Sequence, residues 1–213
     1  IYTRVIGNIC SNNTNDGLYI QDNYMTIENN ICEQNGRRGI YMQSVYTVAY
    51  CTLKGNTFRQ NSESGMYLSK AEYDNVTGNI CENNSKYGIR LEDSAYDNLT
   101  GNTITGNDNY YFSLTATTSL IRYFDHNIDN SNLVNGKPII YLKNQTNLVI
   151  GPSWNVGYLG LVNCSRIAVE NLVIENNGQG ILLFQTTNSR VENCVFNKNE
   201  YGIRMHSTCD NDN

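Results

Sequence analysis

V-T-G-N-I-C-E-N-N-S-K-Y-G-I, from Val76 to Ile89, recurs along the chain with the same order of apolar, Asn and Gly positions. Successive copies begin about 22 to 26 residues apart in the first half, and the spacing returns between two later copies. A fixed period of this size indicates stacked repeats, each of which needs its neighbours to bury its apolar side. The copies begin at Val5, Ile27, Leu53, Val76, Leu99, Val169 and Val191.

Apolar residues alternate with polar ones inside each copy, which is typical of β-strands because their side chains alternate between two sides. Asn and Gly stand at fixed places between the strands and suit tight bends, because both tolerate positive φ. A repeat of about 22–23 residues is too short for a strand–helix–strand unit of about 30 residues. We therefore predict an all-β, single-stranded parallel β-helix (a solenoid) of about eight or nine coils, right-handed by the general rule for parallel crossovers.

A leucine-rich-repeat horseshoe has a similar period and is the alternative fold. It requires Leu at several fixed positions and an Asn inside each strand motif. Here the apolar columns are mixed and Asn precedes the bends, as in the column Asn13, Asn35, Asn61, Asn84, Asn107, Asn177 and Asn199. The β-helix is therefore favoured.

We expect one domain over residues 1–213. Regular coils are predicted at 1–114, with an insertion around 45–50, and again at 158–213, while 115–157 is predicted to hold an irregular coil and loop. The open ends of a solenoid expose unpaired strand edges, so caps or neighbouring domains are expected outside this sequence. We interpret the chain as a segment of a larger protein.

The composition and charge of the chain exclude some classes of binding partner. The chain of 213 residues has a net charge of −5 and only 16% charged residues, with no basic stripe, so we expect no nucleic-acid partner. It has no apolar run approaching the roughly 20 residues that span a membrane, so we expect no membrane span in this segment.

Six of the seven cysteines divide into two groups. Cys10, Cys32 and Cys81 stand in one inward column and are interpreted as buried thiols that pack as small apolar groups. Cys51, Cys164 and Cys209 lie near bends and are the candidates for bonding or for linkage between chains. Because the sequence has no Cys-x-x-Cys motif, a zinc or redox site has little support.

Tyrosines form the most informative surface pattern. One column occupies the outward positions of the Gly-led strands, and the other stands three residues before the first apolar column of each repeat. These columns are predicted to stack as ladders, which leaves three interpretations: a plain preference of Tyr for exposed strands, a protein interface, where Tyr and Arg are enriched, or a surface for sugar rings. The candidate contact residues are Tyr19, Tyr41, Tyr67 and Arg90 in one column and Tyr24, Tyr50, Tyr73 and Tyr96 in the other.

The second half carries a family resemblance. N-I-D-N-S-N-L-V-N-G-K-P-I-I-Y-L at 127–142, G-Y-L-G-L-V-N-C-S-R-I-A-V-E-N-L at 157–172 and N-N-G-Q-G-I-L-L at 176–183 resemble the right-handed β-helix family called CASH (carbohydrate-binding proteins and sugar hydrolases) and its NosD-like members. Such domains occur in surface proteins of methanogenic archaea. The resemblance implies an extracellular or cell-surface setting, in a sheath or surface layer, but a fold does not fix an activity.

The resemblance and the ladders together predict a non-catalytic structural, assembly or adhesive module, with glycan binding as an option. Its expected partners are other copies of the surface protein, flanking domains of the same protein or a polysaccharide. Six Asn-x-Ser/Thr sequons could carry glycans in such a setting: Asn12, Asn75, Asn83, Asn98, Asn144 and Asn163.

A polysaccharide lyase or hydrolase is the alternative function. Such enzymes need two or three acids at a defined separation on one surface. The acids here are scattered: Asp74, Asp93 and Asp97 are interpreted as a weak acidic patch near one bend, and clustering of Asp125, Asp129 and a coil acid would favour an enzyme. We predict no catalytic residues.

Copper handling, which the NosD name implies, is the remote alternative. Copper sites draw on His, Met and Cys, and the two histidines, His126 and His206, lie several coils apart in the sequence. We therefore predict no metal site and no cofactor.

Overall fold

The computed structural model describes residues 3–44 and 50–206. Most of the expected insertion at 45–50 lies outside the described residues, as does Cys209. The described chain is almost entirely β-strand and forms a solenoid of about nine turns. The prediction of an all-β parallel β-helix is therefore confirmed.

The first stack of coils, residues 4–134, forms three parallel sheets, and each of its first five coils contributes one strand to every sheet, while the sixth contributes only to the first two. The first sheet contains β1 (Arg4–Ile6), β4 (Thr26–Glu28), β7 (Thr52–Lys54), β10 (Asn75–Thr77), β13 (Asn98–Thr100) and β16 (Asn127–Ile128). The second contains β2 (Ile9–Ser11), β5 (Ile31–Glu33), β8 (Thr57–Arg59), β11 (Ile80–Glu82), β14 (Thr103–Thr105) and β17 (Leu133–Val134). The third contains β3 (Leu18–Ile20), β6 (Ile40–Gln43), β9 (Met66–Ser69), β12 (Tyr87–Glu92) and β15 (Tyr110–Thr115).

Identical repeat positions face each other across these sheets. Val76 pairs with Leu53 on one side and Leu99 on the other, as the repeat alignment predicts. Inside the coils the Asn columns form hydrogen-bonded ladders: the Asn56 side chain donates to Asn79 at 2.9 Å, and Asn79 donates to Asn102 at 3.0 Å. The same oxygens accept main-chain N–H groups, so Asn satisfies the bends as both donor and acceptor.

A β-hairpin then reverses the direction of the chain, which the sequence analysis did not anticipate. Strand β18 (Lys137–Lys143) pairs antiparallel with β17. The two residues between them, Asn135 and Gly136, have φ of 48° and 80°. Positive φ at both central positions is the type I′ geometry that Asn-Gly favours, so the local signal was present in the sequence.

The second stack, residues 137–206, begins at β18 and is built by further parallel pairing. Its remaining strands are β19 (Thr146–Ile150), β20 (Tyr158–Val162), β21 (Ser165–Glu170), β22 (Val173–Glu175), β23 (Gln179–Phe184), β24 (Arg190–Glu192), β25 (Val195–Asn197) and β26 (Tyr201–His206). Two short 3₁₀ helices, Ile121–Phe124 and Pro152–Trp154, lie before β16 and β20.

Strands β20 and β23 are buried on both sides because their sheet separates two apolar cores. Tyr158 and Phe184 join the core of the first stack, whereas Leu161 and Leu183 join that of the second. The Phe184 ring stacks on Phe124 with centroids 4.2 Å apart. The second stack therefore covers the open end of the first.

The second stack also covers the edge of the third sheet, at strand β15. The N–H of Phe112 in β15 donates to the Asn177 side chain at 3.3 Å, and that of Leu114 donates to the Gln179 side chain at 3.2 Å. Gly178 donates its own N–H to the Phe112 carbonyl at 2.9 Å. An unpaired strand edge is thus satisfied by a turn of the second stack. In the part of the chain that the structure describes, no helix is long and apolar enough to cross a membrane.

Candidate binding face

The third sheet of the first stack presents the predicted Tyr–Arg column on its outer side. Tyr19 pairs in register with Tyr41, Tyr41 with Tyr67, and Tyr67 with Arg90. The ring centroids lie 5.4 Å apart for the first pair and 5.1 Å for the second. The predicted ladder is therefore present, and with Arg38 its four members form what we call the Tyr–Arg face.

Arg38 is the member of this face that the sequence analysis missed. Its guanidinium carbon lies 4.0 Å from the centre of the Tyr41 ring and 5.0 Å from that of Tyr67. Arg90 lies 5.1 Å from the rings of both Tyr67 and Tyr87. The sequence did carry a signal for this contact. Arg38 stands directly before Gly39, which leads the strand of Tyr41, and the long cationic side chain can therefore reach the Tyr41 ring.

These contacts change what the rings can bind. The faces of Tyr41 and Tyr67 are covered by neighbouring rings and by guanidinium groups, so they are not open to a sugar ring that would stack on them. Both side chains remain partly exposed, and the Tyr67 hydroxyl donates to Glu92. The predicted residues lie side by side on this sheet. The ring faces on which a sugar would have to stack are, however, already in contact with other side chains of the protein.

Acidic groups balance the cations of this face. Arg38 is nearly buried beside Asp16 at 3.8 Å and pairs with Glu63 at 3.1 Å. Arg90 pairs with Glu92, which also accepts the Tyr67 hydroxyl at 2.8 Å. Burial, helped by the Glu92 contact, raises the pKa of Tyr67 to about 12, so its hydroxyl keeps its proton. The face is therefore cross-linked by ion pairs and close to neutral.

A hollow opens beside the face at its first two tyrosines. Its volume is about 420 Å³, and it is lined by Asn15, Asp16, Tyr19, Arg37 and Tyr41. Tyr19 is 53% exposed there, which makes it the most accessible ring of this column. At the other end, the second stack borders the same sheet, because the Tyr87 hydroxyl donates to Glu200 at 2.8 Å.

The second predicted Tyr column follows a corner of the first stack. Its ring centroids are 4.8 to 5.6 Å apart, with angles of 7° to 20° between planes. Every member has a positive φ, between 46° and 60°, which turns its side chain outward. The ring faces are again stacked on one another, and the edges are exposed. The members are Tyr24, Tyr50, Tyr73 and Tyr96.

The residue after each of these tyrosines points inward instead. Cys51, Asp74 and Asp97 have no exposed surface, and neither has His126, which stands at the same position of the next coil. We call these four residues the corner column. The expectation of an acidic surface patch at Asp74 and Asp97 is therefore wrong, since a positive φ at the preceding Tyr sends the next side chain into the interior. Asp93 is also buried, and it accepts hydrogen bonds from Thr117.

The candidate linkage cysteines occupy interior positions where the structure describes them. Cys51 has no exposed surface, and Cys164 is 2% exposed. Burial raises the pKa of the Cys51 thiol to about 12, so it is neutral at ordinary pH. Linkage to another chain through either sulfur would require the coil to open. Cys10 and Cys32 are in-register thiols. Cys32 and Cys81 are buried as interpreted, whereas Cys10 is only half-buried.

The acids proposed as markers of an enzyme have separate partners. Asp125 pairs with Lys143 at 2.6 Å, and Asp129 accepts hydrogen bonds from Ser131 and Asn132. Five sequon side chains are exposed and Asn98 is half-buried, so their use remains a prediction.

A family model described as "Periplasmic copper-binding protein (NosD)" matches residues 2–152, which is more than half of the chain. The chain belongs to the NosD family. The predicted NosD-like resemblance is thus confirmed, while an origin in archaeal surface proteins remains a prediction. The periplasmic description of the family agrees with the coarser expectation of a location outside the cytoplasm. Searches of curated proteins and of solved structures each gave no significant match.

The NosD match covers the first stack, the reversing hairpin and β19. The Tyr–Arg face lies wholly within the matched range. Strands β20 to β26, which cover the end of the first stack, lie beyond it. The contact between the stacks therefore joins the NosD-matching region to a part of the chain that the family model does not match.

Proposed function

We propose that this NosD-family chain is a non-catalytic module of an extracellular or cell-surface assembly, and that the Tyr–Arg face is its contact surface for another protein copy or a flanking domain. The observation that carries the proposal is the pre-ordered, charge-balanced row of tyrosines under guanidinium groups on a flat sheet. Side chains already held in place lose little conformational freedom on binding. Tyr and Arg are also the residues that most often dominate protein interfaces.

A protein partner is favoured over a glycan because the ring faces are occupied, while the partly exposed rings and the ion pairs beside them can still contact a protein surface. Tyr hydroxyls and paired charges supply hydrogen bonds to a protein surface without leaving a buried charge unpaired. Glycan binding at the hollow beside Tyr19 is the second outcome that an experiment must separate.

The first experiment measures self-association of the chain by light scattering across a range of concentrations. Tyr19→Ala and Tyr41→Ala are expected to weaken self-association at least about tenfold, because loss of a central aromatic contact typically costs more than 1 kcal/mol. Tyr201→Ala is the matched control: Tyr201 is an exposed tyrosine under a guanidinium, that of Arg204, but it lies on the second stack.

A monomer at every concentration, with no effect of either variant, would contradict self-assembly. Titration with flanking domains and with neutral oligosaccharides would then decide between the remaining partners. Loss of oligosaccharide binding in Tyr19→Ala alone would assign the hollow to a glycan.

The lyase or hydrolase alternative gains no support from the geometry. The two carboxyl groups on neighbouring coils, Asp74 and Asp97, have no exposed surface and cannot reach a polysaccharide. Glu170 and Glu192 are in-register neighbours on the outside, where Arg190 pairs with both at 2.5 and 3.2 Å. This is the solvated ion-pair arrangement expected of surface acids.

The donor atoms do not fit the copper site that the family description implies. No group of three or more His, Cys, Asp or Glu residues that could hold a metal occurs among the described residues. His126 is fully buried, with its ring nitrogens 3.3 Å from the Asp97 N–H nitrogen and 3.2 Å from the Tyr123 carbonyl. His206 has the Arg204 guanidinium 2.9 Å from its Nε2, a cation that does not ligate metals. Copper handling is therefore not part of the proposed function.

A further inference from the structure

The corner column repeats the hydrogen-bond pattern of the Asn ladders with ionisable side chains. The Cys51 N–H donates to Asp74 Oδ1 at 2.7 Å, and the Asp74 N–H donates to Asp97 Oδ1 at 3.0 Å. The Asp97 N–H donates to His126 Nδ1 at 3.3 Å. Each side chain therefore accepts the main-chain N–H of the preceding coil, as Asn does in the neighbouring ladders.

The hydrogen bonds fix His126 as a neutral ring. Because Nδ1 accepts the Asp97 N–H, it carries no proton, and Nε2 carries the proton and donates to the Tyr123 carbonyl at 3.2 Å. Asp97 Oδ2 lies 3.4 Å from Nδ1. A neutral ring with an unprotonated Nδ1 can neither neutralise that carboxylate nor donate to it.

Asp74 and Asp97 are consequently two carboxyl groups on neighbouring coils with no cation beside them in the column. Both have no exposed surface, and the Oδ2 atom of each has no hydrogen-bond partner. Burial, reinforced by the negative charge of Asp97, raises the pKa of Asp74 well above its ordinary range. Two ionised carboxylates cannot share a site of this kind, so one keeps its proton.

The other ionisable groups around the pair do not supply a compensating charge. Cys51 precedes Asp74 in the column, and its thiol is neutral because burial raises its pKa to about 12. Glu72 adds negative charge beside Asp74, and its cation, Arg122, pairs with Glu72 itself at 2.9 Å. Asp22 lies on the side of Cys51 away from Asp74 and is also acidic. The proton is therefore the positive charge available to the pair.

We propose that Asp74 retains a proton at neutral pH and donates it from Oδ2 to the carboxylate of Asp97, so that a buried O–H···O⁻ bond ties the turns before β10 and β13 together. The bond gives a partner to Asp74 Oδ2, which otherwise lacks one. Deprotonation at high pH leaves two buried negative charges on neighbouring coils, and the coils loosen there. The corner column thus contains a pH-sensitive hydrogen bond between neighbouring coils of the first stack.

The direction of the pH dependence follows from linkage. A carboxyl group whose pKa is raised on folding stabilises the fold fully below its unfolded pKa of about 3.9, and this contribution is lost as the pH rises toward its folded pKa. Within that window, one such proton makes the unfolding equilibrium constant rise about tenfold for each pH unit. The fold is therefore tighter at mildly acidic pH.

Asp74→Asn tests the proposal. Asn keeps the oxygen that accepts the Cys51 N–H and gives an Nδ2–H donor to Asp97, as Asn does in the neighbouring ladders. Chemical unfolding between about pH 5 and 8 is expected to show a slope smaller by about one proton than in the unaltered chain. The control, Asp108→Asn, makes the same substitution at an exposed position and should leave the slope unchanged.

A second measurement does not depend on a variant that folds. Infrared spectra of the unaltered chain at neutral pH should contain the carbonyl stretch of a protonated carboxylic acid, shielded from hydrogen exchange with heavy water. Absence of that band would overturn the proposal, as would an Asp74→Asn slope parallel to that of the unaltered chain. A slope that persists in Asp74→Asn and disappears in His126→Gln would assign the proton to the imidazole instead.

Discussion

At the scale of single residues, the coils are held by Asn side chains that donate and accept at once. Asn79 Oδ1 accepts both the main-chain N–H and the side-chain N–H of Asn56, each at 2.9 Å. Asn79 Nδ2 donates to the Leu53 carbonyl at 2.9 Å and to Asn102 at 3.0 Å. No other uncharged side chain of this size offers both functions in one plane, which explains why the column is so uniform.

Asn79→Ala is therefore expected to destabilise the fold by about 3 kcal/mol, because it leaves several buried donors and acceptors without partners. Equilibrium unfolding in urea measures the change. Asn127→Ala is the control: Asn127 also donates to a neighbouring Asn but is exposed, so its loss should stay within about 0.5 kcal/mol. Equal losses in both variants would show that the buried ladder has no special part in stability.

At the scale of elements, the hairpin between β17 and β18 sets the direction of everything that follows. Asn135 and Gly136 take positive φ, and no atom lies within 4 Å of the position that a Cβ on Gly136 would occupy. Backbone strain alone should then decide the cost of a substitution. This separates the hairpin from glycines such as Gly39 and Gly88, where a Cβ would strike a neighbouring coil.

Gly136→Ala should destabilise the chain by about 1–2 kcal/mol, the usual strain of an L-residue in the left-handed region. Gly136→Asn should cost less, because Asn tolerates that region. Thermal unfolding of both variants checks the order. A reversed order would mean that the hairpin takes another turn geometry.

At the scale of the whole molecule, two stacks meet with almost no space between them. A Cβ on Gly178 would lie 2.2 Å from Ser113 Oγ and 2.5 Å from Ser113 Cβ. Gly178 belongs to the turn that satisfies the edge of β15, so any added atom pushes that turn away from the sheet. The contact between Gly178 and Ser113 therefore limits how closely the second stack approaches the first.

Gly178→Ala is expected to cost about 1–3 kcal/mol through overpacking. Ser113→Gly removes the atoms that the new Cβ would strike, so Gly178→Ala should be less harmful in that background. A double-mutant cycle in denaturant measures the coupling. Additive losses would show that the turn does not press on Ser113.

The repeat by itself determined the coils, their parallel register and both Tyr columns, because ladder pairing joins residues at one fixed sequence separation. It also placed Tyr19, Tyr41, Tyr67 and Arg90 together. The tertiary structure alone decided the rest. Contacts such as Phe124 with Phe184 join residues that no period relates, and the backbone at the corner turns Asp74 inward beside an outward Tyr73. Periodicity encodes neighbours along the stack, whereas stack-on-stack packing and the direction of corner side chains depend on three-dimensional contacts and on φ.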